Sequence, residues 1–233
     1  MARNLAATET VVVANCYFCK KPNNTLYDKL NATTESLIRD SELISAERKA
    51  LLTELGIYIK GKLSRKKPVD LIFICTHNSR RSHMAQIWAQ AAAHHYGLQS
   101  IQTYSGGTEK TAFNPAAVNA MKDAGFKITV EKEGKNPRYL IKFDKKATPL
   151  LCFSKVYDHK KNPQAGFVAI MTCSDADEAC PIVTGADYRT SITYEDPKKY
   201  DGTDQQEKAY HERSLQIGRE MFFVFGKVAE LAG

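Results

Sequence analysis

The sequence predicts an α/β protein built on a mostly parallel sheet, and three observations carry this. Val69 to Ile74 is an almost unbroken apolar run of the length of a strand buried on both faces. A polar loop follows, and from Ser82 onward Met84, Ala85, Ile87, Trp88, Ala91 and Ala92 recur at helical spacing on one side. The alternation then repeats: Ile101–Tyr104 leads through Ser105-Gly106-Gly107-Thr108 to a helix opened by Pro115, and Gly166–Met171 is a further buried strand.

The chain has 233 residues, enough for one domain of ordinary size with an appendage. Its 43% hydrophobic and 25% charged residues are those of a globular chain. The formal charge of +7 is spread over scattered lysines, and no aromatic-basic motif accompanies it, so no nucleic-acid partner is predicted. No apolar run approaches the ~20 residues that span a bilayer, so no membrane partner is predicted. Thr10–Ala14 is apolar, but Glu9 interrupts what would be a signal-peptide core, and the predicted location is cytoplasmic.

Residues 1–31 carry little pattern. Cys16-Tyr-Phe-Cys19 lacks two further ligands nearby for zinc and a strand-helix context for redox work, so it reads as two incidental thiols in a variable tail. From Thr34 to Lys62 the spacing is helical. Ser36–Ile38 and Leu43–Ile44 suggest a short helix; Ser45 caps a second, whose apolar side is Leu51, Leu52, Leu55, Ile57, Tyr58 and Ile59. Gly61 and Ser64–Pro68 end it. The expected division is a tail and helical arm over 1–66 and a catalytic domain over 67–233.

The loop after the first strand is Cys75-Thr76-His77-Asn78-Ser79-Arg80-Arg81-Ser82. It lies at the carboxyl end of a strand and the amino end of a helix, where open α/β sheets bind ligands and unpaired N–H groups favour an anion. Cys-x5-Arg is long enough to wrap one tetrahedral oxyanion, with Arg81 forking onto two of its oxygens. The N–H groups, Arg81 and the Ser82 hydroxyl would favour a Cys75 thiolate aimed at the central atom. Alone, each residue would be a buried strand-end cysteine or a surface arginine; together in this pattern they point to chemistry.

Further along, His94-His95 close the helix and, being adjacent, share no face for a metal; no metal site is predicted. The helix from Pro115 runs through Met121 and closes at Gly125. Residues 127–166 are polar and contain three prolines, with an apolar run at Leu150–Phe153; they suggest a strand pair or an elaborated loop, and Cys152 a core thiol. Gly166–Met171 ends in Thr172-Cys173, so a second cysteine meets the ligand edge of the sheet. Cys180 follows seven residues later in a polar segment without apolar contacts, expected to be mobile. Tyr194-Glu195-Asp196-Pro197 makes a turn. A last amphipathic helix covers about Asp204–Ala232, with Asp204 as cap and Leu215, Ile217, Met221, Phe222, Phe225 and Val228 inward.

Cys75–Ser82 resembles the phosphate-binding loop of low-molecular-weight protein tyrosine phosphatases and of the thioredoxin-coupled arsenate reductases that share their fold. The resemblance spans about residues 69–230. It implies a three-layer sandwich around a mostly parallel four-stranded sheet, with the arm as an extension. It also implies Asp196 as general acid, Cys75 as nucleophile, and Thr76, His77, Asn78, Ser79, Arg80, Arg81 and Ser82 as the oxyanion cradle. Cys173 and Cys180 resemble the redox pair of the reductases, which ordinary phosphatases of this fold lack. On that branch the substrate is arsenate, the partner thioredoxin, and no cofactor is required; six cysteines in a cytoplasmic chain fit transient disulfides. Lys198 and Lys199 stand where phosphatases carry tyrosines for an aryl group. The sequence departs from the reductase pattern at His77, Arg80 and Gln86, the last where some reductases place a potassium-binding glutamate. Phosphotyrosine hydrolysis and a non-catalytic oxyanion-binding regulatory module remain the alternatives.

Overall fold

Four parallel strands, in the order β2-β1-β6-β7, form the central sheet: β1 is Val69–Cys75, β2 Ile101–Gly107, β6 Phe167–Met171 and β7 Ala186–Ser191. The structure is a computed structural model and describes residues 25–180 and 182–231; Thr10–Ala14 and the Cys16/Cys19 pair lie outside the described residues. β1 is central, and its alternate residues enter two cores. Leu71 and Phe73 join the large core with the long helices, whereas Ile72, Ile74 and Cys75 join a smaller one with Phe167, Ala169, Met171 and Cys173. This double burial is what the unbroken apolar run predicts.

The helices on the large core are α1 (Asp28–Arg39), α2 (Ala46–Ser64), α3 (Arg81–His95), α4 (Pro115–Asp123) and α6 (Gln206–Leu231). α6 touches all the others. α3 is buried nearly all round rather than on one side, because both the sheet and α6 cover it. Its Trp88 donates to Ser214 Oγ at 3.0 Å. Gly218 is required opposite it: a Cβ there would lie 2.8 Å from the indole and from Leu37.

Several boundaries shift from expectation. α1 starts at Asp28, before the apolar spacing begins. Ser45 caps α2, its hydroxyl accepting from Arg48 N, but α2 runs through Gly61 to Ser64 because packing outweighs one glycine's propensity cost. α2 buries Leu52, Leu55 and Ile59 completely, so the arm shares the core of the sheet. Residues 127–152 hold a separate antiparallel sheet of three strands, β3 (Lys127–Lys132), β4 (Arg138–Lys142) and β5 (Leu150–Cys152). At α6, Thr203 Oγ1, not Asp204, takes the amide of Gln205, and the helix starts at Gln206. β7 carries no apolar run; it is an edge strand, half of whose backbone faces away from the sheet.

Candidate active site

Because all four strands run the same way, their carboxyl ends lie along one edge. β1 delivers Cys75, β2 delivers Gly106 and Gly107, β6 delivers Thr172 and Cys173, and β7 leads through Ile192 to Asp196.

The loop after β1 is held with its carbonyls outward. Cys75 O accepts from Thr108 N (3.2 Å), Thr76 O from Glu109 N (2.8 Å) and Ser79 O from Asn114 N (2.9 Å). His77 O accepts from the hydroxyls of Thr111 and Ser154, at 3.1 and 3.0 Å. Trans peptide planes then turn the N–H groups of the following residues to the loop interior, as an anion requires. Asn78 adopts the left-handed region (φ 44°) at the bend. Gly107 is obligatory: a Cβ there would sit 2.3 Å from Glu109 O, 2.6 Å from Thr76 O and 2.8 Å from Asn78 N.

A hydrogen-bond relay ends on Cys75. Lys155 N donates to Asn78 Oδ1 (2.9 Å), and Asn78 Nδ2 donates to Ser82 Oγ (2.9 Å). Ser82 Oγ lies 3.0 Å from Cys75 Sγ. Having accepted from Asn78, the hydroxyl can turn its one proton to the sulfur. Cys75 and Arg81 are both buried.

Arg81 spans the mouth of the loop. Its Nη1 donates to Tyr194 O at 2.9 Å and its Nη2 to Asp196 Oδ2 at 2.6 Å. The structure thus brings Asp196, 115 residues away, to the loop. Asp196 also accepts from Lys198 N and opens the short 3-10 turn Pro197–Tyr200. The Arg80 side chain leaves the loop toward the Asp196–Asp201 turn, donating to Tyr210 Oη (2.6 Å) and Asp201 Oδ2 (3.0 Å), with its Nε 3.9 Å from Asp196 Oδ1. His77 is half exposed, 3.7 Å from Glu109.

Cys173 closes the other side, its Sγ 3.5 Å from Thr76 Oγ1. Cys75 and Cys173 share the small apolar core, and half-buried Cys180 packs against it. The segment between Cys173 and Cys180 is not an open loop. It is a six-residue helix, α5 (Ser174–Ala179), with Ala176 fully buried. The expectation of a segment without apolar contacts is corrected by this helix. Arg189 on β7 secures it, donating to Cys180 O (3.0 Å), Asp177 O (2.8 Å) and the Asp177 carboxylate. Sequence reading missed Arg189, Lys155 and the Tyr194 carbonyl; all three act through backbone groups or across distant segments.

Behind the loop, Cys152 is fully buried, and burial pushes its thiol up to about 12; it is a core thiol. Burial, then Lys155, holds buried His83 well below its ordinary value, so its ring is neutral beside Ser105 Oγ (3.1 Å). Gln86 donates to Thr103 O. Among the described residues no group of three or more His, Cys, Asp or Glu could hold a metal ion, and no helix is long and apolar enough to cross a membrane.

The profile of the family described as low molecular weight phosphotyrosine protein phosphatase matches residues 70–164. A Bacillus licheniformis protein named arsenate reductase is 31% identical over 143 residues, covering 61% of this chain and 84% of that protein. A Bacillus subtilis arsenate reductase is 29% identical over 143 residues, with the same shares. A solved low molecular weight phosphotyrosine phosphatase from Vibrio cholerae matches 66% of this chain and 93% of its own at 15% identity, with a TM-score of 0.46.

Proposed function

The chain belongs to the low molecular weight phosphotyrosine protein phosphatase family, and from that premise we propose that it reduces arsenate to arsenite through a relay of three cysteines. The observation that carries this reading is the position of a second thiol against the anion loop: Cys173 Sγ is 3.5 Å from the hydroxyl of Thr76, the residue after the nucleophile. A phosphatase resolves its phosphoenzyme with water and has no use for that thiol. The relatives named arsenate reductase support the same branch.

In this reading arsenate binds in the Cys75–Ser82 loop against inward N–H groups and Arg81. The Cys75 thiolate attacks arsenic, forming a sulfur–arsenic bond, and an oxygen leaves as water with a proton from Asp196. The Cys173 thiolate then attacks Cys75 Sγ. The disulfide forms, the sulfur–arsenic bond breaks, and its electron pair reduces arsenic to arsenite. Cys180 attacks Cys173, which frees Cys75 and leaves a Cys173–Cys180 disulfide for an external dithiol such as thioredoxin to reduce.

The last exchange needs α5 to open. Residues seven apart along a helix are about 10 Å apart, whereas a disulfide needs Cα atoms within about 7 Å. Six residues of helix are marginal alone, so the contacts from Arg189 and buried Ala176 set how readily it unwinds.

The test is purified protein assayed in parallel with arsenate plus a thioredoxin system and with an aryl phosphate. Arsenite formation that requires all three cysteines is expected. Ester hydrolysis independent of Cys173 and Cys180, with arsenate untouched, would make the protein a phosphatase.

A further inference from the structure

Arg48 lies on α2, outside the residues that the family profile matches. It nevertheless reaches the segment that carries the acid. Its Nε and Nη2 donate to Glu220 Oε2 at 3.0 and 2.8 Å, and Nη2 also donates to Thr193 O at 3.1 Å. Its guanidinium lies 5.0 Å over the Tyr194 ring. Glu220 is buried on α6, so this fork is fixed at its base.

The topology explains why a brace is needed there. Beyond β7 the chain stays tied to β6 on one side only: Ile192 N donates to Met171 O, and Tyr194 N to Thr172 O. In an extended chain the intervening residue faces the opposite way, so Thr193 O points off the open edge of the sheet. Arg48 supplies the partner on that edge. The next carbonyl, Tyr194 O, receives Arg81 Nη1, and Asp196 receives Arg81 Nη2.

We infer that Arg48 is a positioning residue of the active site, holding Thr193–Asp196 from behind so that Arg81 and Asp196 stay aligned on the anion loop. The inference rests on the reading of Cys75–Ser82 as the reacting loop. It gives the helical arm a part in the chemistry without contact to substrate. A lysine could not replace it, because one ammonium does not reproduce a planar fork spanning a carboxylate and a carbonyl.

The test uses the full chain. Arg48→Leu alone strands the buried Glu220 carboxylate and can unfold the protein, so Arg48→Leu/Glu220→Gln is made beside it. The first readout is phosphate protection of Cys75 against iodoacetamide, followed by peptide mass mapping; it needs neither arsenate reduction nor ester hydrolysis. The half-protecting phosphate concentration is expected to rise about three- to thirtyfold at temperatures where circular dichroism shows a folded chain. The second readout is the single-turnover rate, with and without Asp196→Asn. If Arg48 acts through Asp196, its substitution slows the wild-type background but adds little to Asp196→Asn, whereas general loosening multiplies in both. Wild-type protection by phosphate in the folded double variant, or full multiplication of the two defects, overturns the inference. Absence of arsenate turnover in the wild type, with protection still weakened by the variant, discards the reductase reading and keeps the brace. Absence of phosphate protection in the wild type removes both.

Discussion

Arg81 donates from Nη2 to the Asp196 carboxylate at 2.6 Å, joining the guanidinium at the mouth of the Cys75–Ser82 loop to the Asp-Pro turn. An entering oxyanion therefore competes with Asp196 for the same guanidinium. Asp196→Asn removes both the proposed acid and the competing charge. The chemical step is expected to slow by roughly 10²–10⁴-fold, the usual worth of a positioned acid. Phosphate affinity is expected to rise, since one negative charge has left the site. Single-turnover kinetics and a phosphate titration read the two effects; an unchanged chemical rate would assign the proton to another donor.

Cys173→Ser and Cys180→Ser separate the two thiols in time. On the proposed relay, an arsenic adduct on Cys75 is expected to stay unresolved without Cys173, with no release of arsenite. Without Cys180, one equivalent of arsenite forms and a Cys75–Cys173 disulfide accumulates, because the relay stops one exchange short. Quantifying arsenite per enzyme and mapping disulfides by mass spectrometry without reductant checks both. Steady cycling by either variant would remove that cysteine from the relay.

Gly107→Ala tests the backbone of the site. The new methyl would overlap Glu109 O, Thr76 O and Asn78 N, so the loop must shift. A loss of phosphate protection at Cys75 is expected, with a stability cost of about 1–3 kcal/mol. Helical circular dichroism should be retained, because the overlapping atoms belong to loop residues and not to a helix. A crystal structure with an undisturbed loop would refute this.

Lys155 gives a pH signature. Burial pushes its ammonium down from 10.5 to about 8, with Cys152 a smaller opposing influence. Between those values the unfolded chain holds a proton that the folded chain has released, so this group makes stability rise with pH across that window. Below about pH 8 the fold bears the full cost of a buried charge. Lys155→Met is expected to be more stable there by on the order of 3 kcal/mol, with the difference shrinking toward pH 10.5. Denaturant midpoints for both proteins at pH 7 and pH 10 decide it; a gap independent of pH would mean the ammonium is solvated.

The amino-acid sequence by itself determined the parts whose physics is local. The apolar run Val69–Ile74 can only be buried on both faces, and the polar loop after it leads straight into a helix, as its spacing predicts. Ser45 caps α2 and Pro115 opens α4, as their side chains dictate. Three elements were set by contacts made elsewhere. β7 lacks an apolar run and is a strand because β6 offers it a hydrogen-bonding edge. The Cys173–Cys180 segment reads as an open loop, yet it is helical because Ala176 is buried and Arg189 binds its end. The arm carries no motif, yet Arg48 meets Thr193, 145 residues on, through a backbone carbonyl. Propensity, capping and apolar spacing act over a few residues and are written in side-chain order. A carbonyl at an open sheet edge, or a guanidinium shared between Tyr194 and Asp196, is specified only when distant segments are folded together. The backbone groups that bind these side chains are identical at every position of the chain, so nothing in the sequence distinguishes the ones that do.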